Sequence, residues 1–361
     1  MEPTNVPYLQ IDVHMAEVVS KQAQWQKLYD ALLGNQLSWV VDVGLKATLF
    51  QTIAAAGDAG ITEADLAEQL GYALRYVQVW CRAAFAFELL DWDGASGYRL
   101  APQLESLLLD PDEPQYSAGR IQTYVAFYED YRAFPALLKT GEIWPRSAHD
   151  PWLLEAITES TKPNARAIVH ILERDAPETV ARLEAGGSML DVGAGGGYHV
   201  VQYARRFPRT RVMGLEFEPA MVELAGRTLA DAEVGERATV VHGDANALDE
   251  LDAYDLVTFC IALHETGGPA EYRNVLERVR RALKPGGTVI VVELPYPDRP
   301  GEYRDQPVYK MLAGVQTHEA VVGCGMITQG QLRQLFTDVG FANPREAAWP
   351  TPTRFVMLGE K

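Results

Sequence analysis

Leu190-Asp191-Val192-Gly193-Ala194-Gly195-Gly196-Gly197 is the stretch that decides the fold. It extends the apolar run Ser188-Met189-Leu190 and opens into Tyr198-His199-Val200-Val201-Gln202-Tyr203-Ala204. That order reads as a short buried strand, a glycine turn and a helix. Glycines at such a turn let backbone N–H groups come close to a bound molecule. A nicotinamide-binding turn has Gly-x-Gly-x-x-Gly without an acid just before it. Here Asp191 precedes the first glycine by two. An acid there suits a ligand with an ammonium group better than one with a pyrophosphate.

The following segments agree. Arg211-Val212-Met213-Gly214-Leu215 reads as a second strand closed by Glu216, whose carboxylate can accept both hydroxyls of a ribose. Phe217 then offers an apolar face to a purine. A third strand, Ala238 to His242, ends in Gly243-Asp244-Ala245, where Asp244 can take an adenine amine. Glycine loop, ribose acid and adenine acid in this order resemble the class I S-adenosylmethionine (SAM) methyltransferases. The resemblance implies a SAM site built from Asp191, Gly193, Gly195, Glu216, Phe217, Asp244, Ala245 and Cys260.

The chain has 361 residues, enough for two or three domains with cores of their own. Its 47% hydrophobic content excludes a disordered chain. A formal net charge of −17 argues against nucleic acid or an anionic membrane surface as partner. The three cysteines, Cys81, Cys260 and Cys324, are far apart and odd in number, so they form no disulfide framework. The first residues lack the basic and apolar regions of a signal peptide, and no apolar run is long enough to span a bilayer. A reducing cytoplasm is the expected home.

Three regions follow from the pattern. Residues 1–110 read as a winged-helix-like dimerisation domain. Helical spacing covers Val13 to Leu33 and Val41 to Ile53; Thr62, with Asp65 three residues on, caps another helix; Tyr76 to Leu90 gives a longer one. Asp93-Gly94 marks the turn of a hairpin. Few basic residues on an acidic chain favour subunit packing over DNA, with Trp25, Trp39 and Trp80 suited to it. Residues 111–185 read as a helical linker rich in aromatic residues, interrupted at Pro135, at Gly141 to Pro145 and at Pro163, and placed to roof a substrate pocket. Residues 186–361 alternate strands and helices. Leu256 to Cys260 and Thr288 to Glu293 supply two more strands, and Pro344 to Trp349 with Thr353 to Leu358 a final pair. The expected fold is therefore α/β, with a seven-stranded Rossmann-like sheet.

This arrangement resembles the small-molecule O-methyltransferases of secondary metabolism over nearly the whole chain. Ile261-Ala262-Leu263-His264-Glu265 stands where that family has Leu-His-Asp-Trp, whose His is the general base. Those enzymes also carry Glu-Arg-Thr before their last helix, and the Glu orients the catalytic His. Here that run is Met326-Ile327-Thr328, and Met326 cannot orient an imidazole. His264, Glu265 and His318 resemble instead the ligand set of the metal-dependent α-keto-acid C-methyltransferases of peptide-antibiotic biosynthesis. Two imidazoles and a carboxylate leave open positions on an octahedral ion, compatible with Fe or Zn. Thr266-Gly267-Gly268 follows at once and can turn the chain so that the adjacent His264 and Glu265 both face inward.

The resemblance implies methylation at the β-carbon of an α-keto acid chelated to the protein-bound metal, in a homodimer. Arg120, Arg132 and Arg146 lie in the roof; Arg146 is the expected holder of the substrate carboxylate. Two alternatives stay open. One is a metal-free O- or N-methyltransferase with His264 as general base. The other is a SAM-binding enzyme of this fold that transfers no methyl group. His14, His149, His170, His199 and His242 read as surface or structural residues.

Overall fold

A computed structural model describes residues 19–94 and 96–361. The expected helix from Val13 begins, within the described residues, at Lys21; residues 13–18 lie outside them. Ser20 caps this first helix, Lys21–Lys46, by accepting from Ala23 N. Thr48, at φ 52°, separates it from the helix Leu49–Ala56, so the expected continuous helix from Val41 to Ile53 is broken. No glycine or proline announces that break. Thr62 caps the helix Glu63–Leu70 as expected, accepting from Asp65 N. Leu74–Ala86 follows, and buries Val77, Trp80, Cys81 and Ala84.

Strands β1 (Leu90–Trp92) and β2 (Tyr98–Leu100) form the hairpin, and Ile61 adds an antiparallel bridge to Tyr98. Gly97, at φ 89°, passes so close to the Ile61 carbonyl that any Cβ would collide with it. Helices and wing share one apolar core around Phe50, Leu66 and Trp80. Trp80 is thus a core residue, hydrogen-bonded through its ring N–H to Val40 O at 2.9 Å. Trp25 and Trp39 stay exposed.

The middle segment comprises the helices Leu104–Leu109, Ala118–Ala126, Tyr128–Thr140, Trp152–Asp175 and Pro177–Glu184. Pro135 and Pro163 lie inside helices instead of interrupting them. An interior proline costs a helix about 3 kcal/mol. Trp152–Asp175 offsets that by burying Leu153, Ala156, Ile168 and Leu172. At Gly119 the Ala118–Ala126 helix crosses it so closely that a Cβ would strike the Glu159 backbone.

The large sheet follows. It contains β3 (Ser188–Val192), β4 (Arg211–Glu216), β5 (Ala238–His242), β6 (Tyr254–Cys260), β7 (Leu283–Glu293), β8 (Ala342–Ala347) and β9 (Phe355–Glu360). Their order is β5-β4-β3-β6-β7-β9-β8. The first five are parallel; β9 runs antiparallel to β7, and β8 antiparallel to β9. Strand side chains alternate between faces. Leu190, Val289 and Val291 enter one core with Phe336, while Met189, Ile290 and Val292 enter the other with Ile168 and Val200. Both faces are covered, which is why the central strands read as unbroken apolar runs. The seven-stranded expectation holds. β7 starts five residues earlier than expected, and the last two strands each lie two residues away from their expected limits.

Among the described residues, no single helix is long and apolar enough to cross a membrane.

Candidate active site

A cavity of about 510 Å³ opens at the carboxyl ends of the parallel strands, where open α/β sheets bind their ligands. One end is built by the glycine loop. Gly193, Gly195 and Gly197 all have positive φ, at 73°, 52° and 81°. At Gly193 the chain also passes so close to Ala262 that a Cβ would collide with that side chain. Glu216, at the end of β4, accepts from Gly195 N at 2.7 Å and from Glu218 N at 2.9 Å. Its carboxylate therefore ties the glycine loop to the next loop and still faces the cavity. Burial raises its pKa above the usual carboxylate range.

Phe217 lies 68% exposed on the cavity wall, an open aromatic face. Asp244 lines the wall too; its Oδ1 accepts both from Asn246 N and from Asn246 Nδ2, which leaves Oδ2 without a bond to the chain. Ala245 and Cys260 complete this end. Burial pushes the Cys260 thiol up to about 12, so it is neutral, and Asn164 Nδ2 donates to its Sγ at 3.3 Å.

Asp191 departs from the expected direct contact. It is 1% exposed and sits behind the loop, off the cavity wall, with Oδ1 accepting from the Thr258 hydroxyl at 2.5 Å. Burial raises its carboxyl to about 7, and the nearby charge of Glu216 adds to the rise. The strand alternation that buries Leu190 and Val192 on one face sends Asp191 to the other, against Thr258 of β6.

The other end of the cavity holds the chemistry. Ile261, a β-branched residue at φ 56°, makes the chain leave β6 sharply, and a turn of 3₁₀ helix follows over Leu263–Thr266. His264 and Glu265 both face the cavity as a result. His318 comes from the helix Pro307–Val322. Met311, Val315, His318, Glu319 and Val322 share that helix's cavity face at helical spacing.

The two imidazoles are held alike. His264 Nδ1 lies 2.8 Å from Glu293 Oε2, and His264 N donates to Glu293 Oε1 at 3.2 Å. His318 Nδ1 lies 2.8 Å from Asp130 Oδ2. On both rings Nε2 is buried on the cavity side with no hydrogen-bond partner. Glu293 supplies what Met326 cannot; Met326 itself is exposed. Asp130 also binds His149, whose Nε2 lies 2.7 Å from Asp130 Oδ1 and whose Nδ1 lies 3.1 Å from Pro145 O. His149 is thus a buried member of the site's support and not a surface residue. Among the described residues, the one trio whose ligand atoms stand within reach of a single ion is Asp130, His149 and His318, and their facing atoms are already committed to one another; the expected set of His264, Glu265 and His318 is not brought that close, and Glu265 Oε1 is engaged by Arg146.

Two carboxylates approach His264 Nε2: Glu319 Oε1 at 3.6 Å and Glu265 Oε1 at 3.9 Å. Glu319 Oε2 is buried and unpartnered. Glu265 Oε1 accepts from Arg146 Nη2 at 2.6 Å, while Arg146 Nε remains buried and unpartnered. Burial would lower the His264 pKa, but Glu293 and Glu319 outweigh it and hold the imidazole well above its usual value. Burial would raise Glu265, but Arg146 outweighs it and holds the carboxyl below the usual range.

Fold and sequence point to one class: residues 189–287 match the model of a methyltransferase domain, on a sheet ordered β5-β4-β3-β6-β7-β9-β8. Over 124 residues the chain is 32% identical to the demethylmenaquinone methyltransferase of Oceanobacillus iheyensis, a match covering 33% of this chain and 50% of that one. It thus spans about half the length of the curated relatives it matches. Solved structures share the whole architecture. An O-methyltransferase family protein from Burkholderia thailandensis superimposes with a TM-score of 0.69 at 16% identity, over 95% of this chain and 98% of that one. PigF with SAH gives 0.69 at 21%, over 95% and 100%. Human N-acetylserotonin methyltransferase in complex with SAM gives 0.66 at 18%, over 96% and 99%. The fold is that of the small-molecule O-methyltransferases.

Proposed function

We propose that this chain methylates the β-carbon of an α-keto acid, using SAM as methyl donor and a metal ion held by His264, Glu265 and His318. One observation carries the reading: two imidazoles have Nδ1 on a buried carboxylate and Nε2 unpartnered toward the same cavity. A carboxylate on the far ring nitrogen fixes tautomer and orientation and makes imidazole a better ligand, the usual support of a histidine that binds metal. A single general base needs no second ring prepared in the same way. Fe and Zn both suit two nitrogens and a carboxylate. When bound, the ion supplies a Lewis acid for the carboxylate and keto oxygens of the substrate.

The remaining work falls to the chain's own groups. Arg146 holds Glu265 in place through Nη2 and offers its unpartnered Nε to the substrate carboxylate. Glu319 is the group we assign to take a proton from the β-carbon, supported by its buried, unpartnered Oε2. Glu216, Phe217 and Asp244 seat the ribose and adenine of SAM. Tyr124, Phe127 and Ile157 of the roof exclude water. The product is the β-methyl α-keto acid together with S-adenosylhomocysteine (SAH).

Three further proposals accompany this one. The chain works as a homodimer: Trp25, Leu28, Leu32, Trp39 and Val43 leave an exposed apolar stripe along the Lys21–Lys46 helix, a surface suited to a second copy. It divides into the three units expected from the sequence, 1–110, 111–185 and 186–361. Its three cysteines, all free, fit a reducing cytoplasm.

A second reading is supported by Glu293. The His264–Glu293 pair is a complete general base and its orienting acid, as a metal-free O- or N-methyltransferase requires. Metal analysis of the purified protein, then methyl transfer to α-keto acids with and without chelator, decides between the two. On the first reading His264→Ala and His318→Ala both lose metal and activity while SAM still binds. Activity that survives chelator and His318→Ala establishes the second.

A further inference from the structure

The cavity carries two more arginines at a place the chemistry above leaves unused. Arg120 projects from the helix Ala118–Ala126, and Arg354 immediately precedes β9; both line the main cavity. Among the described residues neither forms an ion pair. Arg354 Nη1 donates only to the carbonyl of its neighbour Thr353, at 2.8 Å, and its Nε is buried with no partner. Asp110, Asp112 and Glu113 border the adjoining smaller cavity that Arg120 also lines, yet none of them pairs with it.

A guanidinium is charged at any ordinary pH and planar, with five N–H donors suited to carboxylate. Both residues are partly withdrawn from water on a cavity wall, Arg354 Nε fully so, and two such cations without a counter-ion favour an anion arriving from outside the chain. The other groups facing them are weak company for a cation: Tyr124, Cys260 and, more distantly, Glu293, which already serves His264. Burial lowers Arg120, and burial with the charge of Arg120 lowers Arg354 to about 10, so each guanidinium opposes the other.

We propose that Arg120 and Arg354 form a carboxylate subsite for the far end of the substrate, so that the α-keto acid is a dicarboxylic one. This rests on the α-keto-acid reading above, in which Arg146 and the metal site hold the keto-acid end. The roof between the two ends, Tyr124, Phe127, Leu294 and Val315, suits a short methylene chain.

Calorimetry on the full-length protein loaded with SAH tests the subsite without needing turnover. The probes are 2-oxoglutarate and 2-oxohexanoate, the second lacking the distal charge. The wild type is expected to bind 2-oxoglutarate at least tenfold more tightly. Arg120→Gln and Arg354→Gln, shown by thermal unfolding to be folded, are expected to remove that preference while leaving 2-oxohexanoate unchanged. Equal wild-type affinities for the two acids overturn the proposal and need no variant. Equal losses for both acids in the variants also overturn it, because the pair then holds the carboxylate next to the ketone. A fall in affinity for SAH itself overturns it as well, by assigning the pair to the carboxylate of the cofactor. A methyl-transfer assay separates the underlying reading: tight, arginine-dependent 2-oxoglutarate binding with no methylation of either acid leaves the subsite standing and removes the reaction.

Discussion

Glu293→Gln separates the two uses of His264. Glu293 is 2% exposed and accepts two hydrogen bonds from the same residue, one from the His264 backbone and one at Nδ1. Glutamine keeps the shape but has one acceptor oxygen, so either one bond is lost or its NH2 donates to His264 Nδ1 and moves the ring proton to Nε2, the atom a metal needs free. A hydrogen bond to a charged group is worth about 1.5–3 kcal/mol, which sets the scale of destabilisation. For a metal-binding His264, loss of the supporting carboxylate lowers metal affinity by about 10–100-fold. The assay is a competition for Zn(II) between the protein and a chromogenic chelator, with thermal unfolding of the metal-free protein as the control for folding. The metal-free reading expects something else: a wild type with no tight Zn(II) site, and a variant whose turnover falls by about 10²–10⁴ as the oriented base is lost. A folded Glu293→Gln protein that binds Zn(II) within twofold of a tight wild type, at unchanged turnover, refutes the argument that Glu293 tunes His264.

Other outcomes follow from the same geometry. Glu216→Ala removes the expected ribose acceptor and should weaken SAM binding by about 1–3 kcal/mol in calorimetry; unchanged affinity removes the assignment. Asp191 has a folded-state pKa raised to about 7, so the folded chain binds more protons there than the unfolded one between about pH 4 and 7. Stability from this group therefore falls as pH rises through that window, on the order of 3–4 kcal/mol in all, and denaturant unfolding of Asp191→Asn should show the fall abolished. Leu28→Glu with Leu32→Glu should turn a dimer into a monomer in light scattering, and a wild type already monomeric at micromolar concentration defeats the dimer reading.

The sheet was legible because parallel strands covered on both faces leave continuous apolar runs, such as Leu256 to Cys260 and Val289 to Val292. The last strand pair was harder to bound. β8 lies at the edge with four of its six residues exposed, and its apolar signal is thin. The break at Thr48 and the intact helices through Pro135 and Pro163 show tertiary packing overriding local preference in both directions. At the site, His264 and Glu265 were readable from their place just after β6. His318 was readable only by resemblance. Glu293 is the last residue of an expected strand, and it pairs with His264 across 29 positions of sequence, a contact that no local spacing announces. Asp130 and His149 were not readable. Asp130 meets His318 across 188 positions of sequence, a pairing that only the roof's docking creates.

Charge accounting links the two ends of the cavity. Around the imidazoles stand Asp130, Glu265, Glu293 and Glu319, four carboxylates, against one guanidinium, Arg146. His264, held well above its usual value by Glu293 and Glu319, adds a second positive charge, so that end carries four carboxylates against two cations. A hydrogen-bonded scaffold needs no such excess, and buried like charges are destabilising unless something positive is bound among them. On the metal reading proposed above, a di- or trivalent cation would offset that excess; on the metal-free reading, protonated His264 offsets part of it. Elsewhere on the cavity wall the imbalance is reversed: Arg120 and Arg354 present two positive charges and, among the described residues, no paired acid. On the proposed reading, an α-keto acid with a distal carboxylate would meet Arg146 at one place and Arg120 with Arg354 at another, and it is the affinity difference between 2-oxoglutarate and 2-oxohexanoate that tests whether it does.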